Sequence, residues 1–282
     1  FKVTDDGNGN LSVERLGATD LAFTFVNSYD VDSKESSVTD QIEVTKTLDG
    51  RDLKEGEFTF ELVEGNDVVA SGTNSANGEV ALSSVTYTQA GEHTYVLREA
   101  AGNMGGITYD QATFKVVTTV VDNGDGTLSV THKLDGAESA VFTNTYNVEP
   151  NESSVTDQVK VTKTLEGRDM KEGEFNFELV EGSKVVATGS NSADGTVTMS
   201  PVKYTQAGEH TYVLREVQGN AGGISYDGSS FTVKTTVTDK GDGTLGVTHE
   251  LSSNDADSAT FKNTYKTEPK NSSVTDQIEI AK

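Results

Sequence analysis

A long stretch of this chain is written twice and begun a third time, and that repetition limits the fold more than any other feature. SSVTDQIEVTKTLDGRDLKEGEFTFELVEG starts at Ser36, returns as SSVTDQVKVTKTLEGRDMKEGEFNFELVEG from Ser153, and SSVTDQIEIAK opens a further copy at Ser272. The spacing is 117 and then 119 residues, too long for a solenoid unit and the size of one globular domain. Residues ahead of Ser36 match the end of a copy, because TDDGNGNLSV, VDNGDGTLSV and TDKGDGTLGV correspond. The expected organisation is the C-terminal part of a preceding repeat in 1–35, complete repeats in 36–150 and 151–268, and the N-terminal strand of a following repeat in 269–282. The chain thus reads as a window cut from a longer array, and its opening FKVTDDGNGN, which lacks a charged n-region and apolar h-region, as an internal piece or a mature chain.

Each repeat reads as all-β. FTFELVEG, GEHTYVLREA, ATFKVVTTVVD and TLSVTH are rich in Val, Thr, Phe and Tyr and are separated by Gly, Asn and Asp clusters. No long window carries a helical apolar stripe. Short strands at regular spacing predict tandem immunoglobulin-like β-sandwich domains, without the tryptophan and disulfide of the antibody core, since the chain has neither Trp nor Cys.

Composition removes several functions. With 33% hydrophobic and 24% charged residues the chain is an ordinary folded protein rather than a disordered one. A net charge of −23 repels phosphates and anionic membrane surfaces, so nucleic acid is not an expected partner. The absence of cysteine removes disulfides, thiolate nucleophiles and Cys-based metal sites. No stretch is long and apolar enough for a membrane span.

The period of two along the strands raises a chemical problem. In QIEVTKTL it puts Ile42, Val44, Lys46 and Leu48 on one face; in HTYVLREA it joins Tyr95, Leu97 and Glu99; in VFTNTY it joins Phe142, Asn144 and Tyr146. The second repeat gives Val159, Val161, Lys163 and Leu165, then Tyr212, Leu214 and Glu216, then Phe261, Asn263 and Tyr265. An amine, a carboxyl and a carboxamide thus point inward in each repeat. Lysine and glutamate are almost never fully buried unless paired. Parity alone leaves two accounts open. One is a hydrogen-bonded polar cluster, or faces misassigned across a bulge. The other is reactive: an apolar site lowers a lysine pKa and raises a glutamate pKa, giving a nucleophilic neutral amine beside a neutral acid. That amine would attack the Asn144 carbonyl while protonated Glu99 hydrogen-bonds the oxygen and then passes a proton to the departing nitrogen. Ammonia leaves and a Lys46–Asn144 amide remains, formed once.

Other motifs have blander explanations. VDNGDGT, with Asp122, Asn123 and Asp125, suggests a calcium loop but lacks the glutamate of that spacing, and Asn-Gly and Asp-Gly are hairpin signals. His93, His132, His210 and His249 show no metal-ligand clustering and read as strand residues. KTLDGRDLKEGE reads as a solvated loop. NVEPNESSVTDQ, with Pro150, reads as a short extended linker at which the two repeats hinge.

VTKTLDGRDLKEGEFTFELVEG, YTQAGEHTYVLRE, VDNGDGTLSV and the closing FTNTY resemble the streptococcal pilin isopeptide-linkage domain, the repeated module of major pilins and adhesin stalks in Gram-positive bacteria. The resemblance covers both complete repeats almost end to end. It implies Lys46 and Lys163 as amines, Asn144 and Asn263 as acceptors, and Glu99 and Glu216 as catalytic acids, with no cofactor and no metal. It further implies an extracellular stalk or pilus shaft on the cell surface or cell wall, whose partners are neighbouring repeats or subunits of the same fibre. A crosslink between the first and last strands would carry tension past the residues between them, where hydrogen bonds alone would peel one by one. The alternative is an adhesin module that uses the crosslinked sandwich as a scaffold for loops contacting a host ligand. No motif supports multiple-turnover enzymology. Asn27 and Lys282 match the acceptor and amine of incomplete repeats, and are expected to stay unlinked, because nothing supplies the counterpart of the strand bearing Glu99.

Overall fold

The structure, a computed structural model, describes residues 1–17, 24–252 and 258–272. Lys282 and most of the expected following strand lie outside the described residues. Within each repeat, alternation of apolar and polar residues produces two sheets whose inner faces meet.

In the first repeat the larger sheet has six antiparallel strands, in the order Leu128–Leu134, Thr113–Asp122, Gly91–Glu99, Thr59–Glu64, Asp67–Asn74 and Val80–Leu82. The smaller sheet has three, with the closing strand Ala140–Tyr146 between Ile107–Thr108 and the lysine strand Val44–Asp49. A short pair, Lys34–Ser36 with Val85–Tyr87, covers one edge. The second repeat has the same strand orders, with Lys160–Glu166, Gly208–Glu216 and Ser258–Tyr265 as its lysine, glutamate and closing strands. The architecture is the expected tandem of all-β sandwiches. Phe142 of the smaller sheet meets Phe60 and Phe114 of the larger one, with ring centroids 5.2 Å apart in each case. Among the described residues no helix is long and apolar enough to cross a membrane.

The lysine and closing strands run parallel, in a register that pairs Val44 with Ala140 and Lys46 with Phe142. The chain enters along one and leaves along the other in the same direction. Tension therefore shears their hydrogen bonds together, instead of peeling them singly as the sequence suggests.

One further expectation changes. NVEPNESSVTDQ is not an extended linker. Asn151–Ser153 is a strand on Val202–Tyr204, and Val155–Asp157 is a 3-10 turn closed by a capping box between Ser154 and Asp157. Residues 147–150 alone join the repeats, and there Asn147 N–H donates to the Gly106 carbonyl at 2.9 Å and Glu149 N–H to the Gly243 carbonyl at 2.8 Å. Near the start, Lys2–Asp5 and Leu11–Glu14 form a two-stranded hairpin. Residues 24–33 have no regular secondary structure. A closing strand needs a lysine strand beside it, and residues 1–35 contain no counterpart of Val44–Asp49.

Candidate functional site

Lys46 is held by the strand on which it sits. Its backbone N–H donates to the Gly78 carbonyl at 2.7 Å. Gly78 has φ +92°, and a Cβ there would stand 2.3 Å from the Lys46 carbonyl oxygen, so the Asn77–Gly78 turn fits against the strand only as glycine. In the second repeat Gly195, with φ +91°, makes the same approach to Lys163. The lysine side chain points between the sheets and is 1% exposed, with its ammonium 4.6 Å from the Phe58 ring centroid. Burial lowers the Lys46 pKa, partly offset by Glu99; the Lys163 pKa falls for the same reason, offset by Glu216.

Glu99, at the end of its strand, bridges the other two groups. Lys46 Nζ donates to Glu99 Oε2 at 2.7 Å, and Asn144 Nδ2 donates to Glu99 Oε1 at 2.6 Å. Asn144 is fully buried, two residues beyond the point where the closing strand lies opposite Lys46. The second repeat repeats the arrangement: Lys163 Nζ to Glu216 Oε2 at 2.8 Å, and Asn263 Nδ2 to Glu216 Oε1 at 2.7 Å. All six inward polar residues read from strand parity are thus brought together in two sets of three.

The carboxamide oxygen is placed differently from the sequence expectation. Glu99 touches the nitrogen, and the oxygen accepts the backbone N–H of Asp110 at 2.7 Å. Asp227 N–H does the same for Asn263 at 2.7 Å. The Asp110 carboxylate fixes this donor by accepting from Ala112 N–H at 2.8 Å and from Thr143 N–H, on the closing strand, at 2.7 Å. The sequence reading missed Asp110 and Asp227. The one available signal was the Tyr-Asp pair at equivalent places in ITYD and ISYD. Preorganised N–H donors at a carbonyl oxygen are the arrangement that stabilises a developing oxyanion.

The remaining candidates separate from this site. Asn27 is exposed, in a segment without regular structure. His132 accepts or donates between Ser36 Oγ at 2.8 Å and Thr118 Oγ1 at 2.8 Å, tying the edge strand to the larger sheet; His249 does so between Ser153 and Thr235. His93 and His210 pair with Glu64 and Glu181. In the VDNGDGT turn, Asp122 Oδ1 accepts from Gly124 N–H and from the Tyr29 hydroxyl, while Asp125 accepts from Thr127. The KTLDGRDLKEGE loop is less solvated than its charge suggests, because Arg51 pairs with Glu57 and lies over the Tyr146 ring.

Residues 42–147 and 159–266 each match FctA, the Spy0128-like isopeptide containing domain. Among solved structures, the major pilin from Streptococcus pyogenes is 16% identical, over 79% of this chain and 98% of that one, with a TM-score of 0.28. The T-13 major pilin from the same species is 16% identical over 84% and 100%, with a TM-score of 0.30. The C-terminal fragment of the pilus adhesin SpaC from Lactobacillus rhamnosus GG is 15% identical over 82% and 99%, with a TM-score of 0.30. No curated protein matches the chain. The two matched segments take in most of the sequence, and the chain belongs to the FctA family of Spy0128-like isopeptide-containing domains, carried here as a tandem pair.

Proposed function

We propose that this protein is a structural stalk or pilus-shaft component on the surface of a Gram-positive bacterium, each module of which closes one Lys–Asn amide bond on itself. The observation that carries the reading is the bridging carboxylate: in a dry core, Glu99 holds the Lys46 amine and the Asn144 carboxamide within 2.7 Å of its two oxygens. Family membership supports it, as does the recurrence of the same geometry in the second module.

The chemistry follows from the donors. Burial disfavours the Lys46 ammonium, and its proton passes to the Glu99 carboxylate along the hydrogen bond between them. The neutral amine attacks the Asn144 carbonyl carbon, and the oxyanion is held by the Asp110 N–H. Glu99 carries a proton from the attacking nitrogen to the leaving nitrogen, the C–N bond to Nδ2 breaks and ammonia departs. Glu99 is left holding the proton first taken from the Lys46 ammonium, and passing it to the departing ammonia, which leaves as ammonium, returns the carboxylate. The product amide joins the two parallel strands that tension would shear.

Single-molecule pulling tests this. The 97 residues between Lys46 and Asn144 should never extend in the mature protein. Glu99→Gln should release them, lengthening the tether by roughly 33 nm at about 3.4 Å per residue. Full extension of both modules without substitution would refute the clamp.

A further inference from the structure

The contact between modules is built from the same parts twice. The Tyr146 hydroxyl donates to Asp239 Oδ1 at 2.6 Å, accepts from Gly243 N–H at 3.1 Å, and the chain three residues on completes the contact with Glu149 N–H on the Gly243 carbonyl. Earlier in the chain, Tyr29 donates to Asp122 Oδ1 at 2.7 Å and accepts from Gly126 N–H at 3.1 Å, and Asp32 N–H donates to the Gly126 carbonyl. In both cases the tyrosine ends one repeat, and the Asp-x-Gly-x-Gly hairpin belongs to the next.

The fit is close. A Cβ on Gly243 would stand 2.5 Å from the Gly106 nitrogen, and one on Gly105 would stand 2.1 Å from the Asp242 carbonyl oxygen, so the two backbones meet where side chains would hold them apart. Gly243 and Gly126 have φ of 81° and 90°, which keeps their N–H groups turned to the tyrosine. From the other side Arg51 lies over the Tyr146 ring at 4.8 Å, held by Glu57. Tyr146 is 5% exposed, whereas Tyr29, which has only a partial repeat behind it, is 57% exposed and still makes both hydrogen bonds.

The two halves also occur separately. Tyr265 sits under Arg168 at 4.9 Å, as Tyr146 sits under Arg51, but is only partly buried. The first hairpin carries Asp5 and Gly9, with Asp5 Oδ1 accepting from Gly7 N–H at 2.9 Å as Asp239 does from Gly241 and Asp122 from Gly124. We propose that Tyr146 and the Asp239–Gly243 hairpin form a module-to-module joint that holds successive repeats in one orientation, and that Tyr265 and the Asp5–Gly9 hairpin present the same plug and socket to further repeats of this kind. Repeating one such head-to-tail contact generates an open, regularly twisted array. The joint needs no crosslink: its groups lie outside the Lys–Glu–Asn sets.

The chain has no cysteine, so spin labels can be attached to Thr94→Cys and Thr211→Cys, exposed positions on corresponding strands of the two modules. Pulsed electron resonance on the full chain should give one narrow distance distribution. Tyr146→Ala should widen it at least twofold, and Tyr146→Phe, which keeps the ring and removes the hydroxyl, should widen it less while speeding exchange of the Gly243 amide about tenfold or more. Tyr265→Phe is the control for effects internal to a module and should change neither readout. A broad distribution in the unsubstituted chain, or an unchanged width and exchange rate in Tyr146→Phe, would overturn the joint. Should Tyr146→Ala fail to fold, the Phe variant decides alone.

Discussion

At the scale of single residues, the most informative atoms are the two oxygens of Glu99. One faces the amine and the other the amide nitrogen, so the carboxylate can move a proton between them without moving itself. Glu99→Gln should block the reaction in the first module alone, adding about 17 Da to the mature mass through the retained ammonia. It should also lower the stability of that module, because closing a loop of this length contributes about 4–5 kcal/mol through the unfolded state and a buried lysine without its partner costs about 3–5 kcal/mol. Asp110→Ala should leave Glu99 in place but loosen the N–H aimed at Asn144, slowing ammonia loss about tenfold or more in a time course after refolding; an unchanged rate would remove Asp110 from the mechanism. His132 and His249 offer a separate handle. Burial lowers their pKa, so the folded state keeps neutral rings while the unfolded chain takes up protons as pH falls below about 6.5, and stability falls with it. The melting temperature should therefore drop more steeply between about pH 7 and pH 5 in the unsubstituted protein than in the His132→Asn, His249→Asn double variant. The lysine, glutamate and asparagine of the site were legible in the sequence, because side-chain parity in a strand has a period of two. The Asp110 and Asp227 donors were not. A backbone N–H belongs to every residue but proline, and only the fold decides where it points.

At the scale of elements, strand content and the sandwich were readable from Val, Thr and Tyr runs broken by Gly and Asp turns. What that reading lacked was pairing direction. Alternation says which face a residue occupies but not which strand lies beside it, so the parallel register of the lysine and closing strands emerges only in the folded chain. The same gap explains the two segments whose roles changed. KTLDGRDLKEGE has the composition of a solvated loop, yet Arg51 is fixed between Glu57 and Tyr146. NVEPNESSVTDQ has the composition of a linker, yet most of it pairs with Val202–Tyr204 or forms the capped 3-10 turn. Charge and small polar residues favour exposure locally, and long-range partners override them.

At the scale of the whole molecule, the repetition that organises the sequence becomes two similar sandwiches, each with its own buried core and its own hydrogen-bonded set of one lysine, one glutamate and one asparagine. Strength along the array would come from amides placed across the strands loaded in shear, and direction from the tyrosine joint between modules. Both features would use groups other than cysteine, of which the chain has none. The central claim is that each complete module closes one Lys–Asn bond, and the intact mass of the purified 282-residue chain tests it most directly. Loss of one ammonia per module predicts a mass about 34 Da below the value calculated from the sequence. A mass equal to the calculated value would contradict both bonds.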